Sequence, residues 1–210
     1  MSSGAIQGVL VDLDETLYSR EYAFWSWIAS EAQAADAGKQ LDRERIAALD
    51  QRGRGDKSAL LAHLAAIFGW YEDEQPRLQR FRLGIAAACR LQPGVPESLT
   101  RIGAQYRLGM VTNGSSVMQR TKLSALGLEG LFDPLIISEE IGIRKPDPRA
   151  FELAIAGWEM SAGDVLFVGD DPVADIAGAT AVGMRALRVG HETGISSILM
   201  LEAWLEGKRA

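Results

Sequence analysis

Short runs of consecutive apolar residues recur along the chain, and each run stops at small, polar or acidic residues. Runs of this kind are typical of strands that are buried on both faces of a parallel sheet, with polar groups at their carboxyl ends. Three of these runs lead into Asp12, into Thr112 and into Gly169-Asp170. We predict five strands, at residues 9–11, 108–111, 135–137, 165–168 and 185–187.

Apolar residues between these strands recur at the three- and four-residue spacing of amphipathic helices. Pro96 and Pro148 stand in the first turn of two such segments, where proline is favoured. We predict helices over residues 96–107, 115–126 and 148–158. Alternating strands and helices indicate an α/β fold with a doubly wound parallel sheet, in which ligands bind beyond the carboxyl ends of the strands.

About 90 residues separate the first predicted strand from the second, far more than a strand–helix–strand crossover needs. This segment has no strand pattern, and its apolar residues follow helical spacing over residues 22–35, 43–51, 57–68 and 74–91. We therefore predict an inserted all-helical cap domain at residues 18–92 and a core domain formed by residues 1–17 and 93–210. A helical module that follows a strand end is placed to act as a lid.

The composition is that of a folded globular protein. Of 210 residues, 47% are hydrophobic and 24% are charged, which excludes a disordered chain. The net charge of −6 disfavours nucleic acid as the main partner, so local positive charge must meet any anionic substrate. The single cysteine, Cys89, cannot form an internal disulfide. We find no long apolar run and no export signal, and we expect a cytoplasmic monomer or homodimer without a membrane partner.

Acidic residues cluster at two of the predicted strand ends. Asp12 and Asp14 follow the first strand two residues apart, so the pleat directs both carboxylates to the same side. Asp170, Asp171 and Asp175 follow the fourth strand. Carboxylates this close repel each other unless a cation lies between them, and hard oxygen donors suit Mg²⁺. We predict a Mg²⁺ site here, while aspartates in turns without any ligand also account for the first pair taken alone.

A hydroxyl, an amide and a lysine complete the polar residues predicted at this edge of the sheet. Thr112 and Asn113 end the second strand and precede a helix, an arrangement that can hold an anion such as phosphate. Lys145 lies in a segment stiffened by two prolines and can neutralise the charge of a transferred group. Taken separately, Thr112 and Asn113 also fit a simple capping turn, and Lys145 fits an exposed loop.

Four segments therefore stand at predicted strand ends or in the loops beside them: Asp12-Leu13-Asp14-Glu15-Thr16-Leu17, Thr112-Asn113-Gly114, Lys145-Pro146-Asp147-Pro148, and Gly169-Asp170-Asp171 with Asp175. In order and spacing they resemble the four motifs of the haloacid dehalogenase (HAD) superfamily. The position of the helical insert resembles the subgroup whose cap follows the first motif. The resemblance implies a Rossmann-like core sheet with an inserted helical cap.

The resemblance also implies a role for each residue at the reacting centre. Asp12 would be the nucleophile that attacks phosphorus and forms an aspartyl-phosphate. Asp14 would protonate the leaving oxygen and later activate the water that hydrolyses the intermediate. Thr112, with Asn113, would bind the phosphoryl group, and Lys145 would offset its charge and that of Asp12.

A ligand set for Mg²⁺ follows from the same resemblance. The ion would be held by Asp12, the backbone carbonyl of Asp14 and Asp170. Asp171 or Asp175 would lie farther out or reach the ion through water. Such an ion lets an anionic nucleophile approach an anionic phosphate, which explains how so acidic a site can bind this substrate.

Asp14 separates the branches of the superfamily. The dehalogenase branch lacks an acid at this position and needs no metal, so the residue favours phosphoryl transfer over carbon–halogen cleavage. We expect a Mg²⁺-dependent phosphatase that hydrolyses a small phosphorylated metabolite. A sugar phosphomutase shares the core motifs and is an alternative, as is a dehalogenase. A non-catalytic phosphoaspartate regulator needs neither Asp14 nor a helical insert.

Substrate choice is expected to depend on the helical insert. Residues 52–57, Arg-Gly-Arg-Gly-Asp-Lys, place three cations in a loop between two helices. Arg54 is our candidate for binding a second anionic or hydroxylated group, while a solvated turn explains the same sequence. A nucleotide, a sugar phosphate and a phosphoacid are all open as substrates. We expect no catalytic role for His63 or His191.

Overall fold

The computed structural model of the protein describes residues 5–38, 41–190 and 197–207, so His191 lies outside the described residues. The strands are β1 (Gly8–Val11), β2 (Arg107–Thr112), β3 (Leu135–Ile137), β4 (Val165–Gly169) and β5 (Arg185–Arg188). They form one parallel sheet in the order β3-β2-β1-β4-β5. The predicted α/β class with a doubly wound parallel sheet is confirmed.

The register of the three central strands brings their carboxyl ends together. Val11, the last residue of β1, pairs with Met110 of β2 on one side and with Val168 of β4 on the other. Asp12 extends the ladder, because its backbone N–H donates to the carbonyl oxygen of Val168 at 2.9 Å. The strand order reverses at β1, which is where doubly wound sheets bind their ligands.

The central strands are apolar because they are buried. All residues of β1 and β4 are buried. One core cluster packs Leu10, Val111 and Phe167 against Phe151 and Trp158. The rings of Phe151 and Phe167 meet edge to face with their centroids 5.1 Å apart. Such ring pairs add about 0.5–1.5 kcal/mol to the burial of apolar area, so the sheet is a rigid frame for its polar edge.

Two compact units make up the chain, one formed by Met1–Ser19 with Arg90–Ala210 and the other by Arg20–Cys89. The described residues of the second unit form the helices α1 (Arg20–Ala34), α2 (Arg43–Asp50), α3 (Lys57–Phe68) and α4 (Glu74–Ala88). The core of this unit is aromatic. The ring of Trp27 has its centroid 5.3 Å from that of Phe81 and 6.1 Å from that of Trp70.

The first unit carries a π-helical turn over Pro172–Ala177 and the helices α5 (Val95–Gly103), α6 (Ser116–Ala125), α7 (Ser138–Ile141), α8 (Pro148–Ile155), α9 (Gly178–Ala181) and α10 (Leu201–Gly207). The helix predicted over 96–107 ends early because Arg107 already belongs to β2. The helix predicted over 74–91 ends early because Cys89 has extended backbone and Leu91 pairs with Tyr18. The helix predicted over 148–158 ends at Ile155, where the N–H of Trp158 donates to the carbonyl oxygen of Ile155 and closes a turn. No helix within the described ranges is long and apolar enough to cross a membrane.

Candidate functional site

Three carboxylates converge where the ends of β1 and β4 lie side by side. One oxygen each from Asp12, Asp170 and Asp175 lies within 4.8 Å of the other two. Asp12 and Asp175 are buried, and Asp170 is half-buried. Asp12 and Asp170 directly follow their strands, whereas Asp175 belongs to the π-helical turn. The structure thus brings together these members of the predicted acidic set.

Gly169 allows Asp175 to lie close to the end of β4. A Cβ atom on Gly169 would stand 2.3 Å from Asp175 Oδ2, a distance that real side chains do not reach. The backbone N–H of Asp171 donates to the same oxygen at 3.0 Å. The carboxylate of Asp171 accepts the N–H groups of Val173 and Ala174 and so caps the π-helical turn. The contact of Asp171 with a metal stays a prediction.

A buried lysine faces the carboxylates. Lys145 Nζ lies 2.7 Å from Asp12 Oδ1 and 2.7 Å from Asp175 Oδ1, and only 3% of the residue is exposed. Asn113 fixes the backbone at this point. Its Oδ1 accepts the N–H of Lys145 at 2.9 Å, and its Nδ2 donates to the carbonyl oxygen of Lys145 at 3.0 Å. The side chain of Asn113 therefore positions Lys145, and its contact with substrate stays a prediction.

Burial and neighbouring charges shift the protonation equilibria of this pair. Burial raises the pKa of Asp12 to about 7 against the opposing charge of Lys145. Burial lowers the pKa of Lys145, but the charges of Asp12 and Asp175 raise that pKa more, so the net shift is upward. Lys145 therefore stays charged, and a further cation beside Asp12 would favour its ionised form.

Thr112 is the last residue of β2 and is fully buried. Its Oγ1 accepts a hydrogen bond from Gln119 Nε2 at 2.7 Å. Gly114 makes this contact possible, because its φ is +157° and a Cβ atom there would lie 2.9 Å from Gln119 Cδ. A side chain at position 114 would push Gln119 away from Thr112.

The carboxylate of Asp14 is held by three side chains. Lys122 Nζ lies 2.7 Å from Oδ1 and 2.9 Å from Oδ2. Gln119 Nε2 donates to Oδ2 at 2.9 Å, and the Tyr18 hydroxyl donates to Oδ1. Burial raises the pKa of Asp14, but the charge of Lys122 and these hydrogen bonds lower it more, so the net shift is downward. The metal contact predicted for Asp14 concerns its backbone carbonyl and stays a prediction.

Sequence reasoning missed Tyr18, Gln119 and Lys122. Gln119 and Lys122 stand three residues apart on α6, next to Leu123, and all of them are buried. Polar residues at this spacing on the buried face of a helix that starts beside a strand end were the available signal. Tyr18 carried no comparable signal, because a lone tyrosine after a turn fits an ordinary core position.

The loop that was predicted to select the substrate lies in the second unit. Arg54 is exposed and follows a tight turn in which Gln51 and Arg52 have φ values of 47° and 55°. Asp50 holds this turn by accepting the N–H of Gly53 at 3.1 Å. Non-glycine residues in this left-handed region cost about 1–3 kcal/mol each. The loop is therefore a defined structure, and the contact of Arg54 with substrate stays a prediction.

The residues that meet at the sheet edge all lie in the part of the chain that matches a single protein-family model. A model of the haloacid dehalogenase-like hydrolases matches residues 6–183. The chain belongs to this family. The sequence resemblance to the HAD superfamily is thereby confirmed, and the chain is a HAD-like hydrolase.

Relatives of this HAD-like hydrolase include two phosphatases. It is 30% identical to the glyceraldehyde 3-phosphate phosphatase of Methanothermobacter thermautotrophicus over 201 residues, which cover 89% of this chain and 87% of the relative. It is 32% identical to the ribulose-1,5-bisphosphate 5-phosphatase of Halopiger xanaduensis, over 85% of this chain and 82% of the relative. The crystal structure of YfnB from Bacillus subtilis bound to magnesium has a TM-score of 0.77 at 20% identity, covers 97% of this chain and 100% of its own, and shows the same fold.

Proposed function

We propose that this HAD-like hydrolase is a Mg²⁺-dependent phosphatase that acts on a small phosphorylated metabolite through an aspartyl-phosphate at Asp12. The observation that carries the proposal is the buried carboxylate of Asp12, 2.7 Å from Lys145 and grouped with two further carboxylates. A carboxylate so placed can attack phosphorus while Lys145 compensates part of its charge. The phosphatase relatives, at 30% and 32% identity over most of the chain, support this class.

The donor set at the sheet edge suits Mg²⁺. Asp12, Asp170 and Asp175 offer hard oxygen ligands within 4.8 Å of one another, and Lys145 compensates only part of their charge. Asp12, Asp170 and the backbone carbonyl of Asp14 would hold the ion, with Asp175 or Asp171 reaching it directly or through water. When bound, Mg²⁺ would supply the positive charge that lets the nucleophile approach an anionic phosphate.

The reaction would proceed in two displacements at phosphorus. In the first, an Asp12 oxygen forms a bond to phosphorus, the bond to the leaving oxygen breaks, and Asp14 gives that oxygen a proton. In the second, water attacks the phosphorus of the aspartyl-phosphate and passes a proton to Asp14, which releases inorganic phosphate and restores Asp12. General acid–base catalysis of this kind contributes about 10²–10⁴-fold to the rate. The charge of a bound phosphate raises the pKa of Asp14 and so favours the protonated form that the first step needs.

Thr112 and Lys145 would act on the phosphoryl group itself. Thr112 lies at the end of β2, beside the β1 strand that leads into Asp12. Its hydroxyl would donate to a phosphoryl oxygen. Lys145, 2.7 Å from Asp12 Oδ1, would favour the ionised form of the nucleophile and offset the charge that collects around phosphorus.

The helical unit Arg20–Cys89 is the proposed cap domain, and Arg54 is its proposed contact with substrate. We infer a substrate with a second anionic or hydroxylated group, because the loop presents an exposed guanidinium. The named substrates of the two relatives, glyceraldehyde 3-phosphate and ribulose-1,5-bisphosphate, are of this chemical kind. Cys89 is buried and forms no disulfide, which fits the cytoplasmic location that we propose.

Phosphate release from a panel of phosphomonoesters tests the proposal. The panel holds p-nitrophenyl phosphate, sugar phosphates, nucleoside monophosphates and short phosphoacids, each with Mg²⁺ and with EDTA. We expect hydrolysis with Mg²⁺ that EDTA abolishes, and no hydrolysis by an Asp12→Asn variant that folds normally. Hydrolysis that persists in EDTA or in the folded variant would remove the metal or the nucleophile from the mechanism.

A further inference from the structure

A closed set of hydrogen bonds joins Asp14 to Thr112 through two side chains of α6. Gln119 and Lys122 are 1% and 4% exposed, so water does not complete their hydrogen bonds. Lys122 Nζ contacts both oxygens of Asp14 and donates to Gln119 Oε1 at 2.9 Å. Gln119 Nε2 donates to Asp14 Oδ2 and to Thr112 Oγ1. One lysine and one amide thus connect two groups that the proposed function assigns to catalysis.

The ammonium of Lys122 determines which way the Gln119 amide faces. An ammonium has only donors, so the amide oxygen must face it and the amide nitrogen must face away. The nitrogen then carries its two hydrogens to the Asp14 carboxylate and the Thr112 hydroxyl, at 2.9 Å and 2.7 Å. The reversed amide would place N–H groups against the ammonium and an oxygen against a carboxylate, and both contacts are repulsive.

The amide orientation in turn orders the hydroxyl of Thr112. A threonine hydroxyl has a single hydrogen, and its oxygen already accepts the N–H of Gln119. Its hydrogen is therefore available to an acceptor other than Gln119. A phosphoryl oxygen is such an acceptor, and a charge-assisted hydrogen bond to it is stronger than a neutral one.

We propose that Gln119 and Lys122 are positioning residues for phosphoryl transfer. Lys122 holds the Asp14 carboxylate in place for its exchange of protons with the leaving group and water. Gln119, oriented by Lys122, makes the Thr112 hydroxyl a donor toward the phosphoryl group. The inference rests on the proposed phosphatase function and adds two residues of α6 to it.

A Lys122→Met variant tests the link to Asp14 through the leaving group. The ratio kcat/KM reports the steps up to departure of the leaving group. Departure of an alkoxide depends on protonation by a general acid far more than departure of p-nitrophenolate does. A misplaced catalytic group costs on the order of 10²-fold. We expect Lys122→Met to lower kcat/KM by about that factor for the alkyl ester and by about tenfold or less for p-nitrophenyl phosphate. An Asp14→Asn variant is expected to show the same pattern, with the larger loss on the alkyl ester.

Two further variants separate positioning from stability. Lys122→Arg keeps the charge and is expected to recover part of the loss on the alkyl ester. Arg120→Met, on the same helix, removes an exposed cation that pairs with Glu140 at 2.7 Å and is expected to leave both activities unchanged. An equal loss on both esters in Lys122→Met, or in Lys122→Arg should the methionine variant not fold, would overturn the role of Lys122.

Gln119→Glu tests the link to Thr112. A carboxylate at this position would accept the hydroxyl hydrogen of Thr112 instead of donating to its oxygen, so the hydroxyl would no longer donate to phosphate. We expect inhibition by inorganic phosphate to weaken by about tenfold, the worth of one net hydrogen bond to a charged group. In a Thr112→Val background the same change is expected to have little additional effect, since the two residues would act as one unit.

An equal weakening in both backgrounds would show that Gln119→Glu acts through charge alone and would overturn the proposed orientation of Thr112. Gln119→Met, which is similar in size and uncharged, controls for the added charge and is expected to weaken phosphate inhibition less. Wild-type protein that shows no Mg²⁺-dependent hydrolysis would instead overturn the proposed function and this inference with it. The two failures are therefore distinguishable.

Discussion

Lys145 balances the buried negative charge at the end of the sheet. Its ammonium lies 2.7 Å from both Asp12 and Asp175, and the side chain of Asn113 is hydrogen-bonded to the backbone N–H and the carbonyl oxygen of Lys145. Since only 3% of the lysine is exposed, the two carboxylates depend on its ammonium rather than on solvent for charge compensation. The same contact that stabilises the folded site would also stabilise the charge on phosphorus.

Replacing Lys145 by methionine is expected to remove both effects. The variant leaves buried carboxylates without their cation, which typically costs about 3–5 kcal/mol of folding free energy. We expect kcat/KM to fall at least about 10²-fold, the loss seen when one preorganised donor is removed. Chemical denaturation and hydrolysis of p-nitrophenyl phosphate measure the two effects, and a variant of nearly wild-type activity would exclude Lys145 from the reaction.

Residue type and position made part of the site predictable. Asp12, Asp170 and Lys145 follow strands or sit in a stiffened loop, and the topology of a parallel sheet brings such positions to one edge. The contact between Lys122 and Asp14 joins residues 108 positions apart. It depends on the angle at which α6 leaves β2, which no local pattern in the sequence specifies.

At the scale of elements, one buried aspartate organises the loop between α2 and α3. Asp50 accepts hydrogen bonds from the N–H of Gly53 and from both terminal nitrogens of Arg20, one of them at 2.7 Å, and Lys57 lies 3.3 Å from it. Burial raises the pKa of Asp50, but its bonds to Arg20 and Lys57 lower that pKa more, so the net shift is downward. The ionised aspartate therefore stabilises the folded unit.

An Asp50→Asn variant is expected to lose stability in a pH-dependent way. The folded pKa lies below the unfolded value of about 3.9, so the stabilisation is fully present above that pH and is lost as pH falls through the folded pKa. We expect the variant to be about 3 kcal/mol less stable near neutral pH. The difference in unfolding free energy between the wild-type protein and the variant should become steadily smaller as the pH is lowered. Urea denaturation of both proteins, from neutral pH down to acid pH, measures this difference. A difference that stays constant or grows in acid would contradict the stabilising role of ionised Asp50.

Arg54, in the same loop, is expected to affect substrate binding rather than chemistry. Because it is exposed, Arg54→Ala should leave folding unchanged. We expect KM to rise about tenfold or more for a substrate with a second anionic group and little for p-nitrophenyl phosphate, which has none. Steady-state kinetics on both substrates measure the difference. Arg52→Ala, from the same turn, is the comparison variant, and an equal rise on both substrates would place Arg54 outside the specificity pocket.

Element type was more predictable than element length. The five strands are all found at the predicted segments because short apolar runs that stop at small or polar residues are typical of buried parallel strands. Three helix ends, those of α4, α5 and α8, are wrong by three or four residues because tertiary contacts and local turns decide them. Because Leu91 pairs with Tyr18, α4 ends before residue 91. Because Arg107 belongs to β2, the helix predicted up to residue 107 ends earlier.

For the whole molecule, the net charge of −6 and the converging carboxylates lead us to expect that stability depends on cations. Three carboxylate oxygens within 4.8 Å repel one another, and an ion that binds only the folded state stabilises it by mass action. A ligand at one hundred times its Kd contributes about 2.7 kcal/mol.

Mg²⁺ is therefore expected to raise the Tm. For a chain of this size we expect an increase of roughly 5–10 °C at saturating Mg²⁺. An Asp170→Asn variant, which loses one of the three carboxylates, should show a much smaller increase. Thermal unfolding of both proteins with and without EDTA makes the comparison, and equal increases would place the ion elsewhere on the molecule.

The helical character of the segment between β1 and β2 could be predicted because strand patterns are missing from most of the first half of the chain. The alternation of strands and helices in the remainder predicted the sheet, and the sheet predicted where polar residues would meet. Helix packing inside the second unit could not be predicted. It depends on aromatic contacts such as those of Trp27 with Phe81 and Trp70, whose geometry only the folded unit defines.

The central claim is a covalent phosphoryl group on Asp12. Rapid acid quenching during turnover with Mg²⁺, followed by peptide mass spectrometry, tests it most directly. We expect one phosphoryl group on the peptide that contains Asp12, removable by hydroxylamine, and none in an Asp12→Asn variant. Turnover by wild-type protein without any phosphorylated peptide, or with the phosphoryl group on a different residue, would contradict the account.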